Sequence, residues 1–220
     1  MIVKVCDKEI NKSVILKTSV VLICALLFGR DIFALPINCH VVTLISVPAF
    51  LFLDYQLLVA FIMFLIPLIA GVSAGELMLL AAISIVCKRK NNGFFQYIVI
   101  MVTIGLEVFA STYYPNINYA EMFQYFTITI VLFLLLLNYD CLDYKICVKY
   151  YFYGIICAVF VAIFCSLMSG GLDLSHLISY KFRSHIGTWV ETVDGARLVF
   201  NANTYAYFCL SGVVCGLFLL

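Results

Sequence analysis

The chain has 220 residues, of which 65% are apolar and only 11% charged, with a net charge of +1. Soluble domains carry about a quarter charged residues and roughly half apolar ones, so no water-facing fold of this length hides so much apolar surface. The ten cysteines form no CxxC pair and no Cys/His cluster of zinc spacing, and nothing in the charge points to nucleic acid, metal or cofactor.

The apolar runs are continuous rather than alternating. In hydrocarbon the backbone must satisfy its own hydrogen bonds, and continuous runs do so as helices. The expected fold is therefore all-α: a polytopic membrane bundle of about eight transmembrane helices, a single domain over 1–220. The start, MIVKVCDKEINKS, sets basic residues ahead of an apolar run from Val14 to Phe28. No small-x-small cleavage site follows, so the run reads as a retained signal anchor.

Eight apolar segments follow one another at roughly 14–29, 36–53, 55–70, 75–88, 94–113, 122–138, 146–168 and 203–220. Pro36, Pro48 and Pro67 fall in the first part, where a membrane helix tolerates proline as a kink. The third and fourth segments are short and weakly separated by Gly71 to Gly75. They are either two spans or a shallow hairpin, and the sidedness of later segments is the same in both cases. The fifth carries Glu107, in MVTIGLEVFAST. An acid at that depth costs on the order of 2.5 kcal/mol or more, so Glu107 is a functional candidate facing the bundle interior, or else a structural partner of an arginine. Glu76 and Glu121 fall at outer helix ends and read as solvated. Cys24, Cys157, Cys165, Cys209 and Cys215 lie inside apolar runs and read as small packing residues; only Cys39 is placed at the outer surface.

The basic residues set the orientation. With the N-terminus in the cytoplasm, nine of the 13 fall inside, including the cluster Lys88, Arg89 and Lys90. Only Arg30, Lys181, Arg183 and Arg197 fall outside, in the direction of the positive-inside rule. Phe94, Phe95, Tyr97, Tyr113, Tyr114, Tyr144, Tyr150, Tyr151 and Tyr153 mark the interfaces as aromatic belts. Residues 169–202 form the longest polar stretch and are expected to be an outer loop, in which LDLSHLISYKF lies flat on the surface.

The outer edge gathers the candidate chemistry. Arg30, Arg183 and Arg197 can grip phosphate through paired, charge-assisted hydrogen bonds, or touch headgroups, or pair with Asp31, Glu191 and Asp194. Asn201 and Asn203 stand where the last apolar run begins. One asparagine suffices as an N-cap; with Arg197 four residues ahead of Asn201, the pair also describes a seat for phosphate or sugar hydroxyls. His185, beside Arg183, is placed to deprotonate a hydroxyl, although most loop histidines do nothing of the kind. There is no GxxxxGK[ST], HExxH or GxSxG.

The stretch GARLVFNANTYAYF resembles the entry motif of the O-antigen ligase and polysaccharide polymerase family, an arginine followed by an aromatic and Asn-Pro-Asn opening an outer-edge helix. Arg197, Phe200, Asn201 and Asn203 match; Ala202 stands where the proline is usual and Val199 where a glycine is common. The stretch FLIPLIAGVSAGE and the basic inner loop at 88–90 are similar to the family pattern as well. The resemblance implies a multi-pass glycosyltransferase of the bacterial inner membrane whose donor is a polyprenyl-pyrophosphate-linked glycan, with membrane lipids around it and no cofactor or metal. It implies that Arg197 stabilises the departing pyrophosphate. A base activates the acceptor hydroxyl, with His185 and Glu107 the candidates, while Arg183, Arg30, Asn201 and Asn203 hold the donor. Family members run on into a large outer loop with further essential residues, so this chain is expected to be the N-terminal part of a longer protein and inactive alone. The alternative is a transporter or flippase subunit, which predicts inverted repeats; none is visible in the sequence.

Overall fold

A computed structural model describes residues 11–33, 35–71, 74–88, 98, 102–106, 119–138, 142–169 and 202–220. Among them there is helix and turn but no strand. Helix α1 spans Lys12–Asp31, α2 Cys39–Phe52, α3 Tyr55–Leu65 and α4 Ala74–Lys88. After these come α5 at Tyr119–Leu137, α6 at Tyr144–Ser169 and α7 at Ala202–Leu219. A 3-10 stretch, Ile66–Gly71, continues α3. Residues 98 and 102–106 are also helical, and the rest of the fifth apolar segment, Glu107 included, lies outside the described residues. Among the described residues two helical stretches, Lys12–Asp31 and Tyr144–Phe164, are long and apolar enough to cross a membrane.

Short polar side chains start the helices. Asn11 accepts from the Ser13 N–H at 3.1 Å, Asn38 from His40 at 3.0 Å, and Asp54 from Leu57 at 3.1 Å. Asp143 does the same for Ile146 at 3.2 Å. Each satisfies one of the N–H groups that a first helical turn leaves unpaired.

Helix α3 is the axis of the core. Leu58 through Ile62, Phe64 and Leu65 are all buried, a run rather than a stripe, as expected of a helix enclosed on every side. Phe61 packs edge-on against Phe50 of α2, with ring centroids 5.5 Å apart. The other helices turn one stripe inward. On α1 it is Leu16, Ser19, Ile23 and Leu27; on α5 it is Thr127, Ile130, Val131, Leu134 and Leu135. The buried polar groups on α2 and α5 use their own backbone. Ser46 donates to the Val42 carbonyl at 2.7 Å, and Asn138 to that of Leu134 at 2.6 Å.

The 3-10 continuation has a cause and an effect. Pro67 has no N–H to give, so the α-helical bond to the Met63 carbonyl is absent. The steeper 3-10 rise then carries 17 residues, Tyr55 to Gly71, over about 28 Å, close to the ~30 Å of the 20-residue α1. The segment that looks short in the sequence is thus nearly as long as its neighbour.

Contacts between helices give their directions. His40 Nδ1 lies 3.0 Å from Glu76 Oε2, joining the starts of α2 and α4. At their finish Lys88 Nζ donates to the Leu51 carbonyl at 3.0 Å and to the Leu53 carbonyl. The two helices therefore run parallel and are tied at both ends. Helix α4 therefore lies alongside α2 from its first turn to its last. Gly75 abuts Phe123, so α4 and α5 start at the same end. Gly212 faces Ile155 and Gly216 faces Phe152, which makes α6 and α7 antiparallel.

Candidate functional site

Charged side chains of α1–α4 sort to two ends of the bundle. At one end Lys12 Nζ lies 3.7 Å from Asp54 Oδ2, and Lys88 grips the last turn of α2 nearby. A lysine on the carbonyl end of a helix meets both the unpaired acceptors and the negative end of the dipole. At the other end are Arg30 and Asp31, closing α1, and the His40–Glu76 pair. Between these ends, the outward faces are apolar: Val21 and Leu22 on α1, Leu44 and Leu51 on α2, Leu132 and Leu136 on α5.

Arg30 is the one sequence-derived site residue whose side chain is described. Its Nε donates to Asp31 Oδ1 at 2.6 Å and its Nη2 to Asp31 Oδ2 at 2.9 Å. The side chains are only 9% and 1% exposed. A two-point guanidinium–carboxylate pair is among the strongest side-chain contacts, and here it is buried. The pairing with Asp31 that the sequence allowed is the one the fold adopts.

The first turn of α7 holds Asn203, and Ala202 opens the helix directly after Asn201. Four other helices are opened by an Asn or Asp in the position Asn201 occupies. Arg183, His185, Arg197 and Asn201, together with Glu107, lie outside the described residues. So does the expected outer loop from 170 to 201. Because α6 and α7 are antiparallel neighbours, the finish of α6 and the start of α7 lie toward the same end of the pair.

Two features at these ends were not anticipated from the sequence. The His40–Glu76 pair is half exposed, with the imidazole held by a carboxylate through Nδ1. The Lys88 contact with α2 is the second. Their partners stand 35 to 37 residues apart, a separation for which sequence offers no signal. Among the described residues no group of three His, Cys, Asp or Glu is placed to hold a metal ion.

One concave surface is notable. Between α6 and α7 lies an apolar groove of about 400 Å³, walled by Phe152, Ile155, Val159, Phe160, Gly212 and Gly216. Gly212 and Gly216 form part of its wall on α7.

Compared with protein-family models, curated proteins and solved structures, the chain matches none.

Proposed function

We propose that the chain belongs to a multi-pass membrane glycosyltransferase of surface polysaccharide assembly, of the O-antigen polymerase or ligase type. It takes glycan from a polyprenyl-pyrophosphate carrier at the outer face of the bacterial inner membrane. One observation carries this reading: the sequence Arg197, Phe200, Asn201, Asn203 leads directly into α7. In this mechanism Arg197 and Arg183 neutralise the pyrophosphate as it departs, and His185 or Glu107 takes the proton of the acceptor hydroxyl. Asn203 falls in the first turn of α7, where a helix N-terminus favours an anion. Arg30 holds the end of α1 through Asp31 rather than gripping the donor.

Three features support membrane embedding. Helix α1, at ~30 Å, matches the hydrocarbon thickness of a bilayer. The outward faces between the two charged ends are apolar. Lys12 and Lys88 share one end, as the positive-inside rule requires of a cytoplasmic face.

The test is complementation with the full-length gene. Arg197→Ala is expected to abolish transfer, leaving carrier-linked glycan to accumulate. Glycan of normal length and amount would remove Arg197 from the mechanism.

A second reading, a transporter subunit, draws on the break in α3 at Ile66–Gly71, since interrupted helices line the sites of many transporters. It predicts that Arg197→Ala leaves the transferase reaction intact and slows movement of a solute or lipid across the membrane.

A further inference from the structure

The groove between α6 and α7 continues toward two lysines. Lys145, Lys149, Phe152 and Ile156 follow one another at steps of four, three and four residues, so they share one face of α6. Phe152 and Ile156 wall the groove, and Phe160 ends its α6 side. Both lysines are exposed, and among the described residues neither forms an ion pair. Lys149 Nζ stands 5.9 Å from the centre of the Tyr153 ring, one turn further along α6, which draws the ammonium toward the groove. Asp143, two residues before Lys145, caps the helix by accepting from the Ile146 N–H. No charged residue follows Lys149 on α6. Depth agrees with this polarity. Lys149 to Phe160 is a rise of about 16 Å, against about 15 Å for one leaflet of a ~30 Å hydrocarbon core.

We propose that the α6–α7 groove is a binding site for an anionic phospholipid of the leaflet at the start of α6, the leaflet that the positive-inside rule makes cytoplasmic. Lys145 and Lys149 meet the phosphate, and one acyl chain lies along Phe152 and Ile156 with its end near Phe160. Gly212 and Gly216 of α7 form the opposite wall. A water-soluble anion would reach the lysines and leave the groove empty. A zwitterionic lipid would fill the groove and bring no net charge to the lysines. Only an amphipathic anion uses both halves together, and basic pockets between membrane helices at a cytoplasmic face recognise such headgroups. Two lysines near the surface favour an anionic over a zwitterionic lipid by roughly tenfold or more.

This inference rests on the membrane part of the proposed function and is independent of glycan transfer. The full chain is reconstituted in vesicles of phosphatidylcholine and phosphatidylglycerol, with a photoreactive diazirine near the acyl end of one lipid or the other. Labelled peptides are identified by mass spectrometry. Phosphatidylglycerol is expected to mark the peptides holding Ile156–Phe160 and Gly212–Val213 roughly tenfold more than phosphatidylcholine at equal mole fraction. Lys145→Gln with Lys149→Gln is expected to bring that ratio near one and to leave labelling at the outward-facing Leu44 and Leu132 unchanged. Gly216→Leu puts a side chain into the groove beside Phe152 and is expected to lower groove labelling by both lipids. Equal marking by the two lipids in the wild-type chain, or an unchanged ratio in the double lysine variant, overturns the proposal. Label at Leu44 and Leu132 with none in the groove also overturns it. Absence of label from all of these faces overturns the membrane premise instead.

Discussion

Helix α6 makes two contacts through glycine, and they behave as opposites. Against α3, a Cβ placed on Gly154 runs into the backbone carbonyl of Phe64 and lies 3.2 Å from Pro67 Cδ. Against α7, a Cβ on Gly212 meets Ile155 Cγ2 at 3.1 Å, and one on Gly216 meets Phe152 Cε2 at 3.7 Å. The first contact is backbone on backbone, at the break where α3 becomes 3-10. The second is backbone on side chain, with a groove beside it. Small residues let membrane helices approach closely, but the approach is binding only where the opposing atom is unable to move. At α3 the atom opposing Gly154 is backbone, whereas at α7 the glycines oppose side chains of α6.

The largest expected effect lies outside that contrast, at the end of α1. Asp31→Ala strips the two-point pair from a buried guanidinium and is expected to cost roughly 3–5 kcal/mol, read as lost folded monomer in detergent. Gly154→Ala comes next, at about 1–3 kcal/mol, since room is made only by separating α3 from α6. Lys88→Met removes donors from the Leu51 and Leu53 carbonyls and is expected to lower stability by about 1 kcal/mol, measured by thermal unfolding. Gly216→Ala is the smallest, within about 0.5 kcal/mol or slightly stabilising, because the alanine gains helix propensity and meets only a movable ring. If Gly154→Ala and Gly216→Ala lower the melting temperature equally, the two contacts are not different in kind.

Much of the helical layout was legible in the sequence. The segment expected at 75–88 is α4, Ala74–Lys88, and that at 203–220 is α7, Ala202–Leu219, because uninterrupted apolar runs and their polar stops are local signals. Asn11, Asn38 and Asp54 mark starts by the same local chemistry. The pairing of Arg30 with Asp31 was among the alternatives because the two are adjacent. Pro67 was expected as a kink, and the structure has a 3-10 stretch, Ile66–Gly71, at that place. The ties of His40 to Glu76 and of Lys88 to α2 arise only when distant helices come side by side, and no periodicity encodes them. Of the candidate site, the described residues hold Arg30 and the backbone at Asn203, while Arg197, Arg183, His185, Asn201 and Glu107 lie outside them.

The double fastening of α2 to α4 has a consequence for biogenesis. Both clasps that hold α2 are donated by residues translated about three dozen positions later, Glu76 and Lys88. Neither clasp can close until the chain has been made through Glu76 and Lys88, so the position of α2 against α4 is fixed late in synthesis. Chains truncated before Glu76 should show a different pattern of cysteine accessibility on α2 from chains that run past Lys88.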